Sequence, residues 1–96
     1  MAKLTFKVGS IPHRLYQIFS NGGSLTVDEA YDLKPKRIRA LSQRIADLKE
    51  KYEEAGATSP LMFIEEKNKD GRGTHSRYFF KGAGSPYEKY STAKMY

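Results

Sequence analysis

The sequence predicts an α+β domain of three helices followed by a β-hairpin, and three observations lead there. Apolar residues recur at helical spacing in two stretches, first Ile11, Leu15, Ile18 and Phe19, then Ile38, Leu41, Ile45, Leu48 and Tyr52. Two β-compatible runs, 61–69 and 72–80, flank Asp70-Gly71, a dipeptide suited to a tight hairpin turn. The 96 residues show no shift of composition and match the length of one domain, so these elements are expected to share a core.

Taken in chain order, Leu4, Phe6 and Val8 alternate with Lys3, Thr5 and Lys7, which gives a short extended segment one apolar face before Gly9-Ser10 interrupts it. The first helix opens at Ile11 with Pro12 in its first turn, where a missing N–H costs nothing, and stops at Asn21-Gly22-Gly23. Ser24-Leu25-Thr26 is short and β-compatible. Thr26 and Glu29 then have capping-box spacing, so a second helix is expected from Val27 to Leu33. Lys34-Pro35 breaks it, because proline disfavours a helical residue before it and opens a new helix readily. The third helix is expected from Pro35 to Tyr52, ending near Gly56, with Ser59-Pro60 turning the chain.

With Asp70-Gly71 as a two-residue turn, the hairpin register follows: Lys69 faces Arg72, Lys67 faces Thr74, Glu66 faces His75, Phe63 faces Tyr78 and Leu61 faces Phe80. One face is then apolar at its base and basic at its tip, where Lys67, Lys69 and Arg72 gather. The domain is expected to span 1–81. Residues 82–96, with glycine, serine, proline and tyrosines 87, 90 and 96, read as a flexible or partner-ordered tail whose rings could stack on bases or offer a surface to a protein partner or a homodimer.

A formal net charge of +6 attracts polyanions, whether DNA, RNA or an acidic membrane surface. The longest apolar run, Leu61 to Ile64, is far short of the roughly 20 residues a membrane span needs. Met1-Ala2-Lys3-Leu4-Thr5 does not lead into a signal-peptide apolar region, so neither a membrane partner nor export is expected. No cysteine is present, which excludes disulfides and thiolate metal sites and fits a cytoplasmic location. His13 and His75, the only histidines, are far apart in sequence, so no metal is expected, and His75 reads as a cross-strand partner of Glu66 or as making a backbone contact. Asp28, Glu29 and Asp32 are explained by the helix dipole, which favours acids at a helix start. Gly71-Arg72-Gly73-Thr74 lacks the spacing and lysine of a phosphate-binding loop. No Ser, His and Asp grouping positions a nucleophile, and neither catalysis nor a cofactor is expected.

The predicted order of helix, short strand, helix, helix, strand, strand is that of a winged helix-turn-helix with a C-terminal β-hairpin wing. Over about residues 11–80, the pattern from Gly22 to Ala30, followed by that from Arg37 to Leu48, resembles small phage-encoded helix-turn-helix proteins. The resemblance implies a duplex-DNA-binding regulator of transcription or recombination in a bacterial or phage-infected cell, with the third helix in the major groove and the wing on the backbone. Lys34-Pro35-Lys36 departs from the small or glycine-containing turn usual in that family. It leaves open which residue first reaches a base.

Residues 34–44 carry Lys34, Lys36, Arg37, Arg39 and Arg44 without an acid. On a helix starting at Pro35, Lys36, Arg39 and Gln43 face outward, with Arg37 and Arg44 at the flank. Arg39 can pair with guanine and Gln43 with adenine, whereas Lys36, Arg37 and Arg44 suit phosphates. A solvated charged face is the plain alternative for this helix alone. The second basic element, residues 67–81 with Lys67, Lys69, Arg72, Arg77 and Lys81 against Asp70, favours DNA binding over a winged-helix protein-interaction module or an RNA-binding protein.

Overall fold

The computed structural model describes residues 4–96, so Lys3 of the expected alternation lies outside it. Helices α1 (Ile11–Ser20), α2 (Val27–Tyr31) and α3 (Leu41–Glu54) precede strands β1 (Leu61–Lys67) and β2 (Thr74–Phe80), a 3-10 turn (Pro86–Lys89) and strand β3 (Lys94–Met95). The strands form an antiparallel sheet in the order β2-β1-β3. The α+β class is therefore as expected, with an added edge strand.

The local signals of the first third act as their chemistry requires. Ser10 caps α1 by accepting from the His13 N–H, and Thr26 and Glu29 satisfy one another's backbone N–H groups at 3.2 and 3.1 Å. Gly22 ends α1 at φ +84°, and a Cβ there would lie 2.9 Å from the Ala83 carbonyl oxygen. Both the conformation and the close approach require glycine. The segment before α1 forms no strand: Leu4 and Phe6 pack on the core, with the Phe6 ring 5.0 Å from Tyr16, while Val8 is 85% exposed.

Two helix boundaries differ from expectation. Helix α2 ends at Tyr31, short of Leu33, and α3 begins at Leu41, not at Pro35. The reason lies in Ile38, which has helical spacing to Leu41 but is buried as part of a loop. Its N–H donates to the Ala30 carbonyl at 2.9 Å and its side chain is 1% exposed. Ala40 then adopts a left-handed conformation, φ 53° and ψ 55°, which a continuous α-helix cannot contain.

The core lies between α1, α3 and one face of the sheet, with Leu15, Phe19, Ile45, Leu48 and Leu61 fully buried. Phe80 joins these layers: its ring centroid is 5.2 Å from Phe19 and 6.2 Å from both Tyr16 and Tyr52. Burial, with a further contribution from Tyr16, pushes the Tyr52 hydroxyl up to about 12. An acid whose folded pKa is raised stabilises the fold below its unfolded pKa and loses that contribution as pH rises towards the folded value. Unfolding free energy should thus fall by about 2–3 kcal/mol between about pH 10 and pH 12, at about 1.4 kcal/mol per pKa unit. Tyr52→Phe is expected to flatten most of that fall, leaving a residue from Tyr96, which burial and then Tyr78 also raise. Equal slopes for parent and variant in denaturant unfolding across this range would contradict it.

The hairpin keeps the expected register from Leu61↔Phe80 to Lys67↔Thr74. Pairing stops there, and Asn68 to Gly73 form a longer turn in place of the expected two-residue turn, so Lys69 and Arg72 are not strand partners. Asn68 accounts for this, since its carbonyl accepts from the Gly71 N–H at 2.9 Å and its side-chain amide donates to the Arg72 carbonyl at 2.7 Å. Asp70 accepts from the Arg72 N–H at 2.9 Å, and Gly71 supplies φ +76°. On the other side of β2, Leu25 exchanges backbone hydrogen bonds with Tyr78 at 3.0 and 2.9 Å.

The segment 82–96, expected as a flexible tail, folds onto the sheet. Met62, Ile64 and Phe79 form a second apolar cluster on the face opposite the main core, and Tyr87 and Ala93 pack against it. Strand β3 pairs with β1 through Met62↔Met95 and Phe63↔Lys94, and the Tyr96 N–H donates to the Leu61 carbonyl at 2.9 Å. The Tyr96 ring stands edge-on to Phe63 and Tyr78, at 6.3 and 5.9 Å. Apolar residues on both faces of the hairpin are what require this second cover. Among the described residues no helix is long and apolar enough to cross a membrane.

Candidate nucleic-acid interface

The loop between α2 and α3 is fixed at its middle by buried Ile38, which leaves the flanking side chains on the outside. Lys36, Arg37 and Arg39 are all exposed, and they project from this loop and not from a helix. Across from the loop stands the start of α1. Between the two and the first turns of α3 lies a cleft of about 930 Å³, and Arg14, Lys36, Arg37, Arg39 and Arg44 line it without a single carboxylate. Cations gathered around a shared space that no carboxylate lines raise the local positive potential.

The five cations differ in how far they are free. Arg14, Lys36 and Arg39 have no carboxylate partner among the described residues. Arg37 lies over the Tyr31 ring, 4.5 Å from its centroid. Arg44 reaches Asp47 at 3.4 Å while its Nε finds no acceptor. Gln43, expected to read adenine, sits on α3 outside the cleft, and its side-chain amide donates to Asp47 at 3.2 Å. The first turn of α3 has no side-chain cap, so its leading N–H groups add to the positive character of the cleft.

The hairpin tip, expected as a basic wing, is less purely basic than its sequence suggests. Lys67 and Lys69 border a groove between the hairpin and α2 that Asp28, Glu29, Asp32 and Glu66 also line, so opposite charge lies close by. Arg72 is exposed at the tip, with its backbone held in the turn. Arg77 is a structural cation. Its guanidinium donates to Glu66 at 2.9 Å, to Glu29 at 2.8 Å and to Ser24 at 3.0 Å, and it stacks on Tyr87 at 5.0 Å. Burial alone would lower its pKa, but the hydrogen bonds and charges of Glu29 and Glu66 outweigh it and hold the group above its ordinary value. His75 meets Glu66 at 3.1 Å, as its cross-strand position implies, and Asn68 at 2.7 Å.

Of the residues the sequence singles out, the structure therefore brings Lys36, Arg37, Arg39 and Arg44 together and leaves Gln43, Lys67, Lys69 and Arg72 elsewhere. Arg14 was not singled out. It follows Ile11 by three positions at the flank of the α1 stripe, and only the tertiary approach of α1 to the loop makes it part of the site. Among the described residues no group of three His, Asp or Glu side chains is placed to hold a metal ion. No family model, curated protein or solved structure matches the chain. The chemistry of the cleft is what speaks to function.

Proposed function

We propose that this protein binds duplex DNA through the cleft at the α2–α3 loop, as a binding module of winged helix-turn-helix type. The observation that carries the reading is the cleft itself, five cations facing one space with no carboxylate among them. A polyanion with regularly spaced phosphates is the partner such a surface attracts most strongly. Arg14, Lys36 and Arg39 take phosphates, because they are unpaired and their long side chains adapt. The winged-helix reading draws support from the chain order and from Leu25 pairing with β2 beside the hairpin. The loop of Lys34 to Ala40 replaces the tight turn of that fold, so the interface is a loop and a helix start more than an outward helix face. Regulation of transcription or recombination is the biological role this reading fits.

Fluorescence anisotropy of a labelled random-sequence duplex of about 20 bp, titrated at about 50 and about 200 mM salt, tests it. With about three phosphates neutralised, affinity should fall by roughly fortyfold between these concentrations. Double-stranded RNA of the same length should bind more weakly, since its narrow major groove admits no such element. Salt-insensitive or undetectable binding to the duplex at low salt contradicts the proposal and favours a protein partner.

A further inference from the structure

Arg37 differs from every other cation of the cleft in being held by its face. Its guanidinium carbon lies 4.5 Å from the centroid of the Tyr31 ring. The two residues are anchored at neighbouring points: Tyr31 follows Ala30, Arg37 precedes Ile38, and the Ile38 N–H donates to the Ala30 carbonyl at 2.9 Å. Ala30 and Ile38 are both buried, so ring and guanidinium stand on a pair of fixed backbone positions. No acceptor among the described residues engages the Arg37 donors, whereas Arg77 donates through Nε and Nη1 to Glu66, Glu29 and Ser24.

A guanidinium stacked on a ring keeps its N–H donors pointing outward in its own plane, with fewer rotamers to lose on forming hydrogen bonds. Such a fork matches two acceptors side by side on a flat edge. Guanine presents that pair, O6 and N7, in the major groove. The surroundings fit a base edge better than a phosphate. Tyr31, 48% exposed, gives the fork an apolar backing along one face, which suits a flat base edge.

The geometry points to Arg37 as a guanine-reading side chain and to Tyr31 as the residue that positions it, an inference that rests on the duplex-binding reading above. It replaces Arg39 and Gln43 as base readers. Arg39 projects from the loop with no support for its plane, and the Gln43 amide is tied to Asp47.

Enrichment of a duplex library with a randomised centre by the parent protein, followed by affinities on the enriched duplex and on the starting pool, tests the assignment. The enriched duplex should carry a G·C pair whose replacement by A·T costs the parent roughly tenfold or more in affinity. Arg37→Lys keeps the charge and should lose that discrimination, its affinity for the enriched duplex falling towards its own affinity for the pool. Tyr31→Leu should weaken discrimination by roughly threefold, and Tyr31→Phe should restore it, because the ring face is what holds the guanidinium. Enrichment of no G·C pair, or discrimination unchanged in Arg37→Lys, overturns the inference. Equal losses by Arg37→Ala on the enriched duplex and on the pool overturn it too, by making Arg37 a phosphate contact. In all three of these results the parent still binds duplex, so the wider reading survives; if the parent binds no duplex at low salt, both fall together.

Discussion

A chain ended after Lys81 should lose about 3–6 kcal/mol of stability, a large share of the roughly 5–15 kcal/mol usual for a domain. The loss comes from the outer face of the sheet. Phe79 is fully buried and Ile64 and Met62 nearly so, and their cover is the returning segment with Tyr87 and Ala93. Exposing a large apolar side chain completely costs about 1.5–3 kcal/mol, and three are uncovered in part. The pairing of β3 with β1 and the edge-on contacts of Tyr96 are lost as well. Urea unfolding followed by circular dichroism measures this directly. A shortened chain with the parent's midpoint and slope would mean that residues 82–96 add no stability and that the second apolar cluster stands without them.

What the sequence made legible was local. The capping pair Thr26 and Glu29, the α1 stripe and the β1–β2 register each depend on residues a few positions apart or directly opposite, so spacing alone carries them. The start of α3 was not legible, because Ile38 has helical spacing to Leu41 and yet serves as a plug in a loop. What decides its role is a hydrogen bond to Ala30, eight positions back in the chain, and spacing is silent on that. Ala40 adds to the difficulty. A left-handed residue is usually glycine or asparagine, and alanine gives no such warning.

The folded C-terminal segment had a signal of a different kind. Met62, Ile64 and Phe79 alternate with the residues that build the main core, so the hairpin is apolar on both faces near its base. A two-faced hairpin needs a second cover, and 82–96 was the one stretch without a place in the core. At the candidate site, the run of basic residues in 34–44 identified four of the five cleft cations, with Arg44 on a helix as expected, but set Lys36, Arg37 and Arg39 on a helix when they stand in a loop. Arg14 and the neutralisation of Arg77 depend on elements that meet only in the folded chain. Glu29 lies 48 positions before Arg77, and no local pattern connects them.

The central claim is that the cleft, and not net charge in general, is the DNA interface. Two variants that each remove three positive charges separate these. One carries Arg14→Ala, Lys36→Ala and Arg39→Ala, the other Lys67→Ala, Lys69→Ala and Arg72→Ala, and each lowers the formal net charge from +6 by the same amount. These side chains are exposed or half-exposed and stand outside the apolar core, so both variants should stay folded. The most direct measurement is the salt dependence of random-duplex affinity for the parent and both variants. At about 0.9 per lost phosphate contact, the cleft variant should show a slope shallower by nearly 3, with roughly a hundredfold weaker binding if each contact is worth about 1 kcal/mol. The wing variant, whose lysines lie beside Asp28, Glu29 and Asp32, should change much less. Equal losses for the two, or a larger loss for the wing variant, would contradict the claim.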